Sequence, residues 1–531
     1  MDENMREAII KGETYLGIEF GSTRIKATLI NNRFETISTS YYDWENKLID
    51  GYWTYNLDES IVGLQKVYSD IKQHVENTYD LTLNKIGAIG CSAMMQGYIA
   101  LDNSGQLLIP FRTWRNTTTT QASSILTERF NYKIPQRWSI SHLYQAILND
   151  EKHIADIDYI TTLSGYIHWQ LTEKKILGIG DASGMFPINE TQFNETMLNQ
   201  FSALISDKEY PWNIKDILPK VLYAGEQAGT LTKRGALLID PTGDLQTGIP
   251  FCPPEGDAGT GMVATNSIKK NTGNISVGTS IFAMITLRKD LSKVYPEIDI
   301  VTTPDGSPVA MVLANNCSSD LNAWINLFGE FYDAMGQKID MNEIFNVLFN
   351  KALEADTDGG GLLSYGYYSG ENITGFEKGR PIFIRSPKST FNLANFMRIH
   401  LFTAFAALRL GLDILTKNEL VQINSIMAHG GLFKTPLVGQ KICAAALNVP
   451  VSVMSTASEG GSWGISILAS YMLNKKTNES LPDYLSNKVF SNNKGQKVYP
   501  DREDVNGFNI FLERYKNGLT IEQAAIDYLI E

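Results

Sequence analysis

The chain has 531 residues, a formal net charge of -12 and four cysteines, with 43% hydrophobic and 20% charged residues. That length exceeds what one ordinary core serves, so two domains are expected. The acidic balance disfavours a nucleic-acid partner, whose phosphates need a cationic surface. Cys91, Cys252, Cys317 and Cys443 lie far apart, which argues against a zinc site or a disulfide framework and fits a reducing cytoplasm. The start, MDENMREAIIKGE, is polar and acidic rather than a signal peptide, and no run reaches the roughly 18 apolar residues of a membrane span.

In chain order, YLGIEF (15–20) and IKATLI (25–30) read as two strands joined by a tight Gly-Ser-Thr turn. KIGAIGCSA and YIALD read as further strands, while TTTTQASSILTERF and SHLYQAILND have the apolar spacing of helices. The polar, turn-rich TNSIKKNTG marks the join between the halves. GNISVGTSIFAMI (273–285) then repeats the opening pattern of strand, Gly-Thr turn and strand. FNLANFMRIHLFTAFAALRLGLDIL reads as one long helix with an apolar face. INSIMAHGG is a strand entering a Gly-Gly turn, EGGSWGISILASYML a Gly turn entering a helix, and FNIFLERYKNGL a helix of the polar tail.

The opening turn has the chemistry of an anion site. Gly21 lets a ligand approach the main chain, successive amides form a nest, and Ser22 and Thr23 add hydroxyl donors. Lys26, on the second strand, either returns toward a bound phosphate or faces solvent. Glu19 offers a hard oxygen ligand to Mg²⁺ or is simply an exposed acid of a hairpin. Gly278 and Thr279 occupy the corresponding turn of the second half, where the alternative is again an ordinary hairpin. Asp257, in CPPEGDAGTGM, is a lone carboxylate on a glycine-rich loop, which suits a general base; an Asx turn or helix N-cap is the competing fate. GGLFKTP (430–436) offers backbone to an adenine, or marks tight packing of strand on helix. Trp114 suits stacking on a sugar or core packing, and Met95-Gln96 suits a sugar contact or core filling. The histidines show no metal-ligand spacing, and neither a Gly-x-Ser-x-Gly elbow nor a Walker loop is present.

Taken together and in order, these stretches resemble the FGGY family of carbohydrate kinases. GIEFGSTRIKA is similar to that family's first phosphate motif, GCSAMMQGYIALD to its substrate strand and RTWRNTTT to its Trp-Asn-Asp-x-Arg stretch. GDASGM follows a Leu-Thr loop as in the family, GDAGTGM resembles the base loop, and SVGTS the second phosphate motif. GLLSYGYYSGE, GGLFKTP and EGGSWGISILA complete the series, from about residue 15 to 470.

The resemblance implies an α/β protein of two ribonuclease H-like, actin-like ATPase domains facing a central cleft. It implies an N-terminal kinase domain over 1–265, a C-terminal domain over 266–475 and a helical extension over 476–531. It makes Asp257 the general base, and Gly21, Ser22, Thr23, Lys26, Gly278 and Thr279 phosphate contacts. Gly430, Gly431 and Thr435 become adenosine contacts, Glu19 the acid associated with Mg²⁺, and Met95, Gln96 and Trp114 the lining of the sugar site. The implied reaction is transfer of phosphate from ATP to a primary hydroxyl of a ketopentose or related sugar or polyol, xylulose first, with ribulose, fuculose, gluconate and glycerol-like polyols open. The implied partners are a small sugar and neither nucleic acid nor membrane; a homodimer is left open. A sugar sensor without catalysis and an ATP-driven switch of the same fold are the competing functions. Four changes, at five positions, depart from the family's usual pattern: Glu19 for Asp, Gln96 for His, Arg115-Asn116 for Asn-Asp and Ala258 for Asn.

Overall fold

The structure is a computed structural model that describes residues 3–190, 192–454, 460–492 and 495–529. Glu459 of the EGGSWG motif lies outside the described residues. The chain forms two compact units that alternate along the sequence. The first comprises Met1–Ile268, Ile300–Val309 and Ser458–Asn492; the second comprises Lys269–Asp299, Ala310–Ala457 and Asn493–Glu531.

The first unit is built on a five-stranded sheet in the order Glu255–Gly256, Ala88–Ala93, Thr14–Phe20, Arg24–Asn31, Thr36–Asp43. The opening strand pairs antiparallel with Arg24–Asn31, in a register that sets Glu19 opposite Lys26, and parallel with Ala88–Ala93. Leu16, Ile18, Phe20, Ile25, Ala27 and Leu29 are fully buried. Helix Leu57–Tyr79 starts where the Asn56 side chain accepts from the Asp58 amide and ends at Asp80 in the left-handed region. Its Leu64, Val67, Ile71 and Val75 recur at helical spacing and join the same core. Burial of each such side chain contributes about 1.5–3 kcal/mol.

A late segment returns to this sheet. Helix Gly460–Asn474 packs against the opening strand and Ala88–Ala93. The approach is backbone to backbone: a Cβ on Gly17 would lie 1.9 Å from the Ser462 carbonyl oxygen, and one on Gly464 2.1 Å from that of Thr260. Hydroxyl pairs Thr28–Ser462 and Ser92–Thr260, both at 2.9 Å, satisfy the buried polar atoms along the seam.

The second unit repeats the hairpin. Thr272–Val277 pairs antiparallel with Ile281–Thr286 and parallel with Ser425–Gly430, which carries Val451–Val453 and then the antiparallel strand Gln496–Val498. Helix Leu393–Asp413 is capped by Asn392 and buried over most of its length. One described helix, Leu393–Asn418, is long and apolar enough to cross a membrane; 72% of its most apolar stretch is buried inside the protein, as in a core helix. In the tail, Phe508, Phe511 and Tyr515 of helix Arg502–Asn517 are buried, and Tyr365 donates to the Tyr515 carbonyl.

Candidate active site

The turn between the first two strands is narrow, the Gly21 amide donating to the Arg24 carbonyl at 2.9 Å. All three turn carbonyls are taken by one neighbouring loop. Trp44 Nε1 donates to the Gly21 carbonyl at 2.7 Å, Tyr55 Oη to that of Ser22 at 2.7 Å, and the Trp44 amide to that of Thr23 at 3.1 Å. In a planar trans peptide the N–H points opposite the C=O. The amides of Ser22, Thr23 and Arg24 are therefore directed away from that loop, while the Ser22 and Thr23 side chains are exposed. Such a turn, its peptide dipoles fixed in advance, has the geometry that can receive an anion.

Glu19 precedes the turn. Its Oε2 accepts from the Ser462 amide at 3.1 Å, at the start of helix Gly460–Asn474. Gly461 leaves the room: a Cβ there would lie 2.4 Å from Oε1. Burial, and next the charge of Asp257, push the Glu19 carboxyl up to about 7 against the pull of the Ser462 and Gly461 amides and of Lys26. Lys26 is half-buried.

Asp257 is the first residue of helix Asp257–Ala264, with Gly256 as its N-cap. Its Oδ1 accepts from the Met95 amide at 3.2 Å and the Ala258 amide at 2.9 Å. Among the described residues nothing hydrogen-bonds its Oδ2. Solvent reaches the residue, and the protein on its other sides still raises its pKa by desolvation, against the pull of those amides.

The Met95 amide belongs to a strained turn. Gln96 has φ of 72°, a left-handed conformation uncommon for a residue with a side chain, and Gly97 follows at 82°. A Cβ on Gly97 would lie 2.7 Å from the Arg112 carbonyl oxygen. The turn is braced by Ser139 Oγ donating to the Gly97 carbonyl and the Gly97 amide to Arg137. Met95 and Gln96 are almost wholly buried.

Trp114 stands 40% exposed, so it is free to meet a ligand. Its loop is clamped to the strand Tyr52–Thr54. Asn116 Oδ1 accepts from the Trp53 amide at 2.8 Å, and its Nδ2 donates to the Trp53 carbonyl at 2.9 Å. At the other end of the loop, Arg112 and Tyr98 exchange backbone bonds at 2.8 and 3.1 Å. One loop thus connects the Gln96 turn to the strand that precedes Tyr55.

Two further acids were not singled out by sequence reasoning. Asp181 and Glu255 are both buried. Glu255 accepts from the Gly180 and Asp181 amides at 3.3 and 3.0 Å; Asp181 Oδ2 accepts from Thr162 at 2.7 Å and from Ser164. Among the described residues Asp181 Oδ1 has no hydrogen-bond partner of good geometry, although the Gln96 amide still pulls the carboxyl down. Burial raises both, Asp181 to about 7 and Glu255 to about 8; the charge of Asp257 adds to the first shift and that of Asp181 to the second. A Cβ on Gly256 would touch both Met95 Cγ, at 2.1 Å, and Asp181 Oδ1, at 3.3 Å. The pair therefore underlies both the Asp257 loop and the Met95–Gln96 turn. The motifs GDASGM and CPPEGD contained the signal, since an acid among glycines and apolar neighbours is costly to bury without a purpose.

In the second unit Gly278 and Thr279 sit exposed on the repeated turn. Their carbonyls are again held from one side, Gly278 by Ser318 Oγ at 2.7 Å and Thr279 by the Cys317 amide at 2.9 Å. The amides that follow, of Thr279 and Ser280, point the other way. Gly430 pairs with Val277 at the neighbouring strand end, with φ of 116°; a Cβ there would lie 2.0 Å from the Val277 carbonyl oxygen. Gly431 is exposed and Thr435 is buried.

Among the described residues no group of three or more His, Cys, Asp or Glu side chains could enclose a metal ion. Mg²⁺ does not require one, because it is held by one or two carboxylates together with substrate phosphates and water. Glu19, whose carboxyl is raised first by burial and next by the charge of Asp257, is the acid beside the turn that such an ion could use.

Residues 14–263 match the N-terminal domain and 273–473 the C-terminal domain of the FGGY family of carbohydrate kinases. A xylulose kinase of Haemophilus influenzae is 22% identical over 522 residues, covering 95% of this chain and 99% of its own. A xylulose kinase structure from Brucella ovis superimposes with a TM-score of 0.77 at 16% identity, over 96% of this chain and 99% of that one. A gluconate kinase from Lactobacillus acidophilus does so with the same score and identity, over 96% and 98%. The fold is the actin-like ATPase fold of these sugar kinases, and the chain, matched along both halves, belongs to the FGGY family of carbohydrate kinases.

Proposed function

We propose that this protein transfers the γ-phosphoryl group of ATP to a primary hydroxyl of an open-chain ketopentose or related sugar or polyol, with xylulose as the reference substrate and Asp257 as general base. The observation that carries the reading is the state of Asp257: one carboxylate oxygen is fixed by two amides, one of them from the sugar-site turn, and the other accepts from none of the described residues. A base held this way keeps its direction while it accepts a proton. Its raised pKa brings it nearer the working pH and makes it a better acceptor.

The rest of the site positions and neutralises. The amides beyond Gly21, with Ser22 and Thr23, receive phosphate oxygens; Lys26 adds charge on the same hairpin. In the second unit Gly278 and Thr279 are the further phosphate candidates, and Gly430, Gly431 and Thr435 the adenosine candidates. Mg²⁺, held through Glu19 and the phosphates, would supply charge neutralisation. Because the chemistry of phosphoryl transfer is mostly positioning and electrostatics, the pre-set carbonyls and amides of these turns matter more than any covalent step. A cytoplasmic setting suits the four cysteines, all free and buried.

The test is ADP release by the wild-type protein with ATP, Mg²⁺ and a panel of xylulose, ribulose, fuculose, gluconate and glycerol. Sugar-dependent release is expected with at least one. Release that ignores every sugar would indicate a switch, and sugar binding without release a sensor.

A further inference from the structure

The first unit gathers four carboxyl groups, those of Glu19, Asp181, Glu255 and Asp257, around the candidate site. Its nearby guanidinium groups are mostly spoken for. Arg24 pairs with Asp43, and Arg112 pairs with Glu151 while stacking on Tyr52. Arg115 differs. Its guanidinium carbon lies 4.2 Å from the centre of the Trp53 ring, and Nη1 donates to Asn46 Oδ1 at 3.1 Å. No carboxylate among the described residues pairs with it, and the residue is exposed.

Its place in the fold is specific. It follows Trp114 and precedes Asn116, whose side chain holds both backbone groups of Trp53. Its partner Asn46 donates to Tyr55 Oη at 3.3 Å, and Tyr55 donates to the Ser22 carbonyl of the phosphate turn. Arg115 is thus joined through two side chains to the phosphate turn, and through its own loop to the Gln96 turn. The guanidinium is held by one face and one nitrogen, and its other N–H donors remain available in a planar fork that matches two oxygens at once.

We infer that Arg115 receives an oxyanion of the bound reactants. An exposed guanidinium held by Trp53 and Asn46 beside the loop of Trp114 presents an oxyanion with a preset, bidentate donor pair. Two sources share this chemistry, the carboxylate of an acceptor sugar acid and the transferring phosphoryl group of ATP. The inference rests on the kinase reading given above.

The experiment measures kcat and KM with a neutral acceptor, xylulose, and an acidic one, gluconate, in wild type, Arg115→Gln and Arg115→Lys, with melting temperatures as a check on folding. Arg115→Gln is expected to lose about 10–100-fold in kcat/KM, the size of a charge-assisted hydrogen bond, and Arg115→Lys to recover part of it. Loss confined to gluconate identifies the carboxylate; equal loss of kcat with both acceptors identifies the phosphoryl group. Wild-type constants in Arg115→Gln, or an Arg115→Lys no better than Arg115→Gln, would overturn the inference while leaving the kinase reading in place. No sugar-dependent turnover by the wild type with any acceptor would remove both.

Discussion

The Met95 amide donates to Asp257 Oδ1 at 3.2 Å, so the residue that begins the turn proposed to meet the sugar also sets the direction of the proposed base. The two residues are 162 apart in sequence, and strand Glu255–Gly256 brings them together by pairing with Ala88–Ala93 in parallel. Any shift of the Met95–Gln96 turn is therefore felt at the carboxylate. The strained φ of Gln96 sits at that junction, where a rigid surround is needed to maintain it.

Tyr55 tests whether the braced turn binds nucleotide. Tyr55→Phe deletes the bond to the Ser22 carbonyl and leaves the ring stack on Trp44. A lost hydrogen bond of about 1 kcal/mol raises the KM for ATP about fivefold and leaves the KM for sugar unmoved. Steady-state kinetics check this; an unchanged KM for ATP would separate the turn from the nucleotide.

Glu19 tests the metal assignment. Glu19→Ala raises the Mg²⁺ concentration for half-maximal turnover by about 10–100-fold, the usual effect of removing a group that supports a bound metal. A Mg²⁺ titration that overlays the wild type would instead make Glu19 only the acceptor for the Ser462 amide.

The buried acids predict an unusual pH dependence of stability. Glu19, Asp181 and Glu255 have folded-state pKa values of about 7, 7 and 8, above the ordinary 4.5, 3.8 and 4.5. Between these limits the native state binds more protons than the unfolded chain, so stability falls as pH rises. The contribution is complete below about pH 4 and is lost through pH 7–8. The ligand-free protein should melt on the order of 5 °C lower at pH 8.5 than at pH 6, and Asp181→Asn should flatten that slope. Calorimetry showing a melting temperature that is level or rising over this range would refute the assignment.

Much of the local structure was legible in the sequence. Both glycine hairpins read directly, because alternating apolar runs broken by Gly-Ser-Thr and Gly-Thr leave few other conformations. Asp257 was legible as a reachable acid on a glycine-rich loop. What braces these features was not. Trp44 and Tyr55 hold the first turn from about 20 to 33 residues away, and nothing in YYDWENKLIDGYWTY marks which aromatic side chain meets a backbone carbonyl. Asp181 and Glu255 look like ordinary loop acids until the fold stacks one loop on the other. The return of helix Gly460–Asn474 to the first unit rests on glycines at 17 and 464 that allow backbone contact, a property of pairs of positions that no single stretch displays.

The account stands most directly on the proton taken by Asp257. The decisive measurement is sugar-dependent ADP release by Asp257→Asn beside the wild type, with nucleotide binding and melting temperature recorded on both. The account predicts a folded variant that still binds ATP and turns over about 10²–10⁴-fold more slowly, the range for loss of a general base. Turnover equal to the wild type, in a variant of unchanged stability, would contradict it.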